Sequence, residues 1–335
     1  MKFLVIGLGS MGKRRVRNLQ ALGMENIIGF DPRADRRAEA ADKYGIAVFE
    51  SLDAAHAAQK TDALVISTPP ALHMQYAFWA LEQGLDCFIE ASVVDATGIE
   101  ELAKQSSAAK RVMLPSCTMS FYPGPRKVKE LVHAGAIGRI LNINYQTGQY
   151  LPDWHPWEDI ADFYVSARET GGAREIVPFE LTWLCDVFGP SQALGCWKGK
   201  LSTLDADIDD LYHCLVRFPE HSAICQLTVE VISRPKATRE MRILGSEGEL
   251  VFSADSNSVR YISTGMAEWT HFHFDAGTIE QQYINPEEPY IEEMRCFVAA
   301  AQQRNPSLFP NTLEKDVAVL NTLYELERLS AAAKY

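Results

Sequence analysis

The chain has 335 residues, 47% hydrophobic and 23% charged, with a formal net charge of −12. That length predicts two domains, each able to bury a core without disulfides or metal, and the acidic balance gives no grip on a phosphate backbone, which argues against nucleic acid as a partner. No apolar run reaches membrane-span length and the seven cysteines contain no CxxC pair, so we expect a cytoplasmic protein with reduced thiols and no membrane contact.

The first part of the chain, from residue 2 to about 117, alternates short apolar runs with longer amphipathic stretches. The runs KFLVIGLG, NIIGFD, IAVF, ALVIST, DCFIEAS and VMLPSC read as strands of a parallel sheet covered on both faces. Gly7, Gly9 and Gly12 in GLGSMG stand between the first strand and a helix, with Ser10 and Met11 opening that helix. At this spacing the first glycine permits the tight turn, the second lets backbone approach a pyrophosphate, and the third permits close helix packing. Asp31 follows 19 residues after Gly12, at the end of the second strand. A carboxylate there accepts bonds from ribose hydroxyls and repels a 2′-phosphate, so the expected cofactor is NAD and not NADP.

Arg33, Arg36 and Arg37 lie just beyond; they read either as a solvated helix face or as supplying a group that stacks on adenine and softens that discrimination. Lys13, Arg14, Arg15 and Arg17 read as exposed charges of the first helix. The fourth strand ends in Ser67, Thr68, Pro69 and Pro70, where ligands of such sheets bind, and His73 opens the next helix either as a cap or as a cofactor neighbour. The fifth strand ends in Glu90 and Ala91, which places a carboxylate near the nicotinamide half.

Beyond residue 138 the pattern changes to a two-residue period. In ICQLTVEV, Cys225, Leu227, Val229 and Val231 share one face while Gln226, Thr228 and Glu230 share the other. Further strands are predicted in RILNINYQTGQY, DLYHCLVRF, MRILGSEGELVF, SVRYIST and WTHFHF, with SEG a turn between two of them. A sheet with one wetter, apolar-studded face predicts a homo-oligomer.

In this order GLGSMG, Asp31, STPPALH, Glu90, Phe121-Tyr122-Pro123, HAGAIGRI, Gly171-Gly172, the Gly245–Gly248 turn and the closing helices resemble the glucose-fructose oxidoreductase, inositol dehydrogenase and MocA family over the whole chain. The resemblance implies a Rossmann domain over residues 1–120 and, over 121–335, an α/β domain with a large, mostly antiparallel open sheet for substrate binding and oligomerisation. It also implies that this sheet covers the nicotinamide and binds a sugar or polyol. GQYLPDW, residues 148–154, is similar to a subgroup tied to surface polysaccharides, which implies a nucleotide-linked or amino sugar.

The chain departs from the family's usual pattern. Ala91 stands where a lysine follows the glutamate, and Phe179 where a histidine is usual, with Glu175 or Ile176 at the aspartate one turn earlier. A dehydrogenase still needs a group to take the hydroxyl proton. The segment from Tyr150 to Glu180 holds the candidates: Glu180 first, His155 second because its ordinary pKa suits the task, and Glu175. Tyr150, Trp154, Tyr164 and Arg174 are the expected substrate contacts; alternatively the aromatic segment packs as a contact loop and Arg174 bridges to Glu175 or Glu158. Glu175 and Glu180 lie five apart, about 140° around a helix, and cannot meet one atom unless Pro178 bends the chain. His271 and His273 read as strand residues, and no metal is expected.

The predicted activity is NAD-dependent oxidation or reduction at a hydroxyl of a sugar, polyol or nucleotide-sugar derivative. Two alternatives stand beside it: an NAD- and sugar-binding sensor without turnover, and a redox-assisted elimination in which NAD is retained.

Overall fold

The computed structural model describes residues 1–154, 159–162, 164–281 and 283–332. The chain forms two compact units: Met1–Thr118 with Gly277–Val317, and Met119–Ala276 with the chain from Ala318 onward.

The first unit opens with alternating elements: β1 (Phe3–Ile6), α1 (Ser10–Ala21), β2 (Ile27–Phe30), α2 (Ala34–Tyr44), β3 (Ala47–Phe49), α3 (Leu52–Ala58), β4 (Ala63–Ile66), α4 (His73–Glu82), β5 (Asp86–Ile89), α5 (Ala96–Ala109) and β6 (Met113–Pro115). The six strands pair in parallel in the order β3-β2-β1-β4-β5-β6. Every residue of β1, β2, β4 and β5 is buried. Strands covered on both faces have no wet side, so they read as continuous apolar runs and not as alternation. Strand order reverses between β1 and β4, and the carboxyl ends there form the crevice where such sheets take ligands.

In the second unit, α6 (Pro123–His133), β7 (Ile140–Gly148), α7 (Ala173–Phe188), β8 (Gln192–Gly199), β9 (Leu211–Phe218), β10 (Ala223–Glu230), β11 (Thr238–Gly245), β12 (Gly248–Ser253), β13 (Ser258–Ser263) and β14 (Thr270–His273) follow in turn. Their sheet runs β14-β13-β12-β11-β7-β10-β9-β8, with β7 and β10 parallel and every other neighbour pair antiparallel. Ile143, Tyr145, Cys225, Leu227, Val229, Met241, Ile243, Leu250 and Phe252 are buried on one face. Asn144, Gln146, His213, Leu215, Gln226 and Arg242 lie on the exposed face. Strand β8 was not among the predicted strands: QALGCWKG carries two glycines and a register shift between Ala193 and Gly195, so its alternation is broken.

The segment 277–317 differs from the expected division, in which everything beyond residue 121 lies in the second domain. It carries α8 (Glu288–Gln303) and the start of α9 (Leu313–Ala332), and its acidic residues pack on α1. Glu287 takes bonds from Arg14 Nε at 3.0 Å, Arg17 Nη2 at 2.8 Å and Asn18 Nδ2 at 3.0 Å. The Arg14 guanidinium also lies over the Tyr290 ring, 4.1 Å from its centre. These contacts correct the expectation that the basic cluster of α1 is solvated, because Arg14 and Arg15 are buried. Among the described residues no helix is long and apolar enough to cross a membrane.

Candidate functional site

In the first unit the three glycines of the β1–α1 turn do different work. Gly7 has φ +82°, and a Cβ there would lie 2.6 Å from the Ser67 carbonyl oxygen; at Gly12 a Cβ would sit 1.7 Å from the Gly7 oxygen. These two positions need glycine for the fold. At Gly9 a Cβ would meet nothing nearer than Arg36 Nη1 at 3.4 Å, so the fold alone leaves that position open. The space lies at the N-cap of α1, which no side chain caps, beside Ser10 and Met11 of the first turn. An uncapped helix N-terminus with room above its second glycine fits a pyrophosphate.

Asp31 is buried at the end of β2, its Oδ2 accepting the Leu8 amide and its Oδ1 the Arg33 amide, each at 2.8 Å. Each oxygen keeps a further lone pair for a ribose hydroxyl. Arg36 Nη1 lies 3.9 Å from Asp31 Oδ2, which places one of the three arginines beside the carboxylate and over the glycine turn. On the other side of the crevice, Thr68 Oγ1 is shut off from solvent and has no partner among the described residues, an orphaned hydroxyl next to Pro69. His73 is buried and its Nε2 pairs with the Thr68 carbonyl oxygen at 2.9 Å, so it pins the Thr68 backbone. Burial holds its pKa below the usual histidine value. Glycine turn, Asp31 and orphaned hydroxyl together fit a dinucleotide.

Glu90 follows β5 and is gripped by Arg15, whose Nε reaches Oε1 at 2.6 Å and whose Nη2 reaches Oε2 at 2.9 Å. The Ser67 hydroxyl donates to the same Oε1 at 3.4 Å. Ala91 beside it brings no charge. Arg15 escaped the sequence reading, although a signal existed: Gly12, Arg15, Val16 and Leu19 form the buried i, i+3, i+4, i+7 stripe of α1.

In the second unit the proton-transfer candidates separate. Glu175, in the first turn of α7, accepts the Tyr164 hydroxyl on Oε1 at 2.6 Å. Its Oε2 is buried without a partner among the described residues. Burial pushes the carboxyl up to about 7, against the opposing pull of the Tyr164 bond. Tyr164 and Glu175, both singled out from sequence, are thus brought together.

Glu180 is fully buried elsewhere on α7, and both its oxygens are taken. Oε2 accepts Tyr145 Oη at 2.5 Å and Trp183 Nε1 at 2.7 Å, while Oε1 pairs with Arg239 Nη2 at 2.7 Å. These bonds tie α7 to β7 and β11, so the carboxylate expected first as the base is occupied by structural partners. The helix runs unbroken from Ala173 to Phe188 through Pro178, so the two glutamates keep their separate faces. Arg174 is likewise committed, with Nε on Glu327 Oε1 at 2.7 Å and Nη1 on the Glu169 carbonyl. Among the described residues, that makes Glu327 a partner of Arg174, while Glu158, the other bridge the sequence offered, lies outside the described residues.

Tyr150 forms a bridge to Ile232 and carries the Arg234 guanidinium 3.5 Å from its ring centre. Trp154 Nε1 is buried and without a partner among the described residues. His155 lies outside the described residues. His271 and His273 stack on β14 with ring centres 6.1 Å apart, and no group of three or more metal-ligating side chains occurs among the described residues.

Two family models match the chain: an oxidoreductase family with an NAD-binding Rossmann fold over residues 1–114, and the GFO/IDH/MocA C-terminal domain over 126–251. Oxidoreductase P35 of Formosa agariphila is 23% identical over 69% of this chain and 69% of its own length. Among solved structures, a levoglucosan dehydrogenase in complex with NADH and levoglucosan superposes with TM-score 0.84 at 17% identity, covering 100% of this chain and 98% of that one. The WlbA dehydrogenase of Bordetella pertussis, in complex with NADH and UDP-GlcNAcA, gives TM-score 0.79 at 16% identity over 100% and 97% of the two chains.

Proposed function

The chain belongs to the GFO/IDH/MocA family of NAD-binding oxidoreductases, and on that premise we propose that it is an NAD-dependent dehydrogenase acting on a secondary hydroxyl of a sugar, polyol or nucleotide sugar. When bound, NAD supplies the two-electron acceptor for the carbon that bears the hydroxyl. The Gly9–Gly12 turn with Ser10 and Met11 would hold its pyrophosphate, Asp31 the adenosine ribose, and Thr68, Pro69, Glu90 and Ala91 the nicotinamide half. The sugar class is drawn from relatives named for levoglucosan and for a UDP-linked sugar.

The observation that carries the proposal is Glu175. Its carboxyl is held near 7 by burial, and its Oε2 is unpartnered among the described residues. A general base works best with a pKa near the working pH, and Glu175 has one together with an oxygen unpartnered among the described residues, whereas both Glu180 oxygens are taken by three donors. In this reading Glu175 accepts the proton of the substrate hydroxyl on Oε2, while Tyr164 fixes Oε1. Tyr150 and Trp154 remain proposed substrate contacts, and Trp154 Nε1 offers a donor. The test is a panel of sugars, polyols and UDP-sugars incubated with protein and NAD while NADH absorbance is followed. Turnover of one class, lost in Glu175→Gln with NAD binding kept, supports the reading. Full turnover in Glu175→Gln would end it, and product without NADH would favour the redox-assisted elimination.

We also propose a homo-oligomer joined through the open sheet face. Leu194, Trp197 and Leu215 are more than two-fifths exposed on β8 and β9, a concentration of apolar surface at one end of the sheet. A monomer mass by light scattering at working concentration would refute it.

A further inference from the structure

We infer that Arg15 is a positioning residue for the cofactor: from α1 it supplies the cation that fixes Glu90 at the carboxyl end of β5, beside the nicotinamide half. The inference rests on NAD occupying the crevice described above. Arg15 is fully buried, a rare state for an arginine unless it is paired. Its fork grips both Glu90 oxygens, and its remaining nitrogen Nη1 lies 2.9 Å from Glu293 Oε2. The guanidinium also rests on the Phe88 ring, 4.5 Å from its centre. Burial opposes its charge, but the pull of Glu90 and Glu293 outweighs that and keeps Arg15 protonated.

The two carboxylates it joins are unequal. Glu293 is wholly buried and already accepts the Ser116 hydroxyl at 2.9 Å, the Cys117 amide at 2.7 Å and the Thr118 hydroxyl at 2.8 Å. Without Arg15 it keeps three donors. Among the described residues Glu90 would keep only the Ser67 hydroxyl, 3.4 Å away. The Glu90 side chain is also the member of this network that reaches solvent, 13% exposed against 0% for Arg15 and Glu293.

Its neighbours place that edge in the crevice. The Glu90 amide bonds the Ile66 carbonyl at the end of β4, and the Ser67 carbonyl lies against Gly7 in the glycine turn. The residue next along the chain, Ala91, has no charge to offer. Arg15 therefore acts on the ligand through Glu90: a carboxylate held in one orientation presents its free lone pairs to ribose hydroxyls, and a loose one does not. The groups facing Glu90 are Arg15 from α1, Ser67 from the end of β4, His73 from α4, and, through Arg15, Glu293 and Tyr290 from α8.

The test is calorimetry of NAD binding at neutral pH on the full chain, with thermal unfolding of the NAD-free protein alongside. Arg15→Met should weaken NAD roughly tenfold or more, the scale of losing a bond to a charged group. Arg15→Lys keeps the charge but cannot fork, so its affinity should fall between wild type and Arg15→Met, and it carries the test if Arg15→Met does not fold. In a Glu90→Gln background Arg15→Met should change NAD affinity less than threefold, roughly the limit for independent sites. Unchanged affinity in Arg15→Met and Arg15→Lys, or an equal loss with and without Glu90, overturns the inference. Failure of the wild-type protein to bind NAD would instead overturn the cofactor assignment beneath it.

Discussion

Replacing the glycines of the first turn by alanine, one at a time, should separate folding from binding. At Gly9 the added methyl meets only the tip of Arg36, 3.4 Å away, and the backbone angles, φ −69° and ψ −163°, suit any residue. The stability of Gly9→Ala should therefore stay within about 1 kcal/mol of wild type, since losing glycine at an N-cap and stiffening the unfolded chain act in opposite directions. At Gly12 the same methyl lands 1.7 Å from the Gly7 carbonyl, a backbone atom held by β1. The strand or the helix must move, at a cost of about 1–3 kcal/mol or more, which is a fall in Tm of roughly 1.5–4 °C or more for a protein of this size. Calorimetric titration with NAD completes the comparison. Gly9→Ala should bind at least about 10²-fold more weakly, because the methyl fills the approach of the pyrophosphate. If Gly9→Ala bound NAD normally, or were as unstable as Gly12→Ala, the division of labour drawn from the open and closed Cβ positions would be wrong.

Glu175, held near 7 by burial, is a base only when ionised, so oxidation should rise with pH through about 7 and level off above it; Glu175→Gln should lose roughly 10²-fold in kcat and the pH step with it. Tyr164→Phe removes the bond that lowers this carboxyl and should move the step to higher pH, as a rate profile would show. Asp31→Ala should narrow the preference for NAD over NADP measured by calorimetry, since Arg36 remains beside the site and the repelling carboxylate is gone. Glu180→Gln should act on folding: breaking a buried ion pair costs about 3–5 kcal/mol, and denaturant unfolding should show that loss while NAD affinity is kept. A Glu180→Gln protein of wild-type stability but without turnover would restore Glu180 as the base.

What was legible in the sequence follows from how local its cause is. Strands β1, β2, β4 and β5 announce themselves because burial on both faces demands unbroken apolar runs, and β7, β9 and β10 because one covered face demands alternation. Gly7 and Gly12 were legible for the same reason, their constraints lying in the turn and the adjoining strand. Arg15 was not, because its helix stripe reads as charge until Glu293, far along the chain, is known to face it. Glu175 and Glu180 sit on one helix in similar sequence, and only their surroundings, a lone tyrosine hydroxyl against three donors, tell a titrating carboxyl from a tie.

The return of residues 277–317 to the first unit also sets an order of events during synthesis. When Thr118 leaves the ribosome the parallel sheet is complete in strands, yet Arg14 and Arg17 lack Glu287, and Arg15 has Glu90 but not Glu293, because neither of those later carboxylates has been made. At about 5–20 residues per second, the intervening 119–276 take roughly ten to thirty seconds to emerge. Over that interval the nascent unit is held by its sheet and the helices packed on it, with the face of α1 that meets residues 277–317 uncovered. An amino-terminal fragment ending near residue 120 is therefore expected to be stranded at the same stage, Arg14 and Arg17 without the carboxylate that pairs them and the outer face of α1 uncovered.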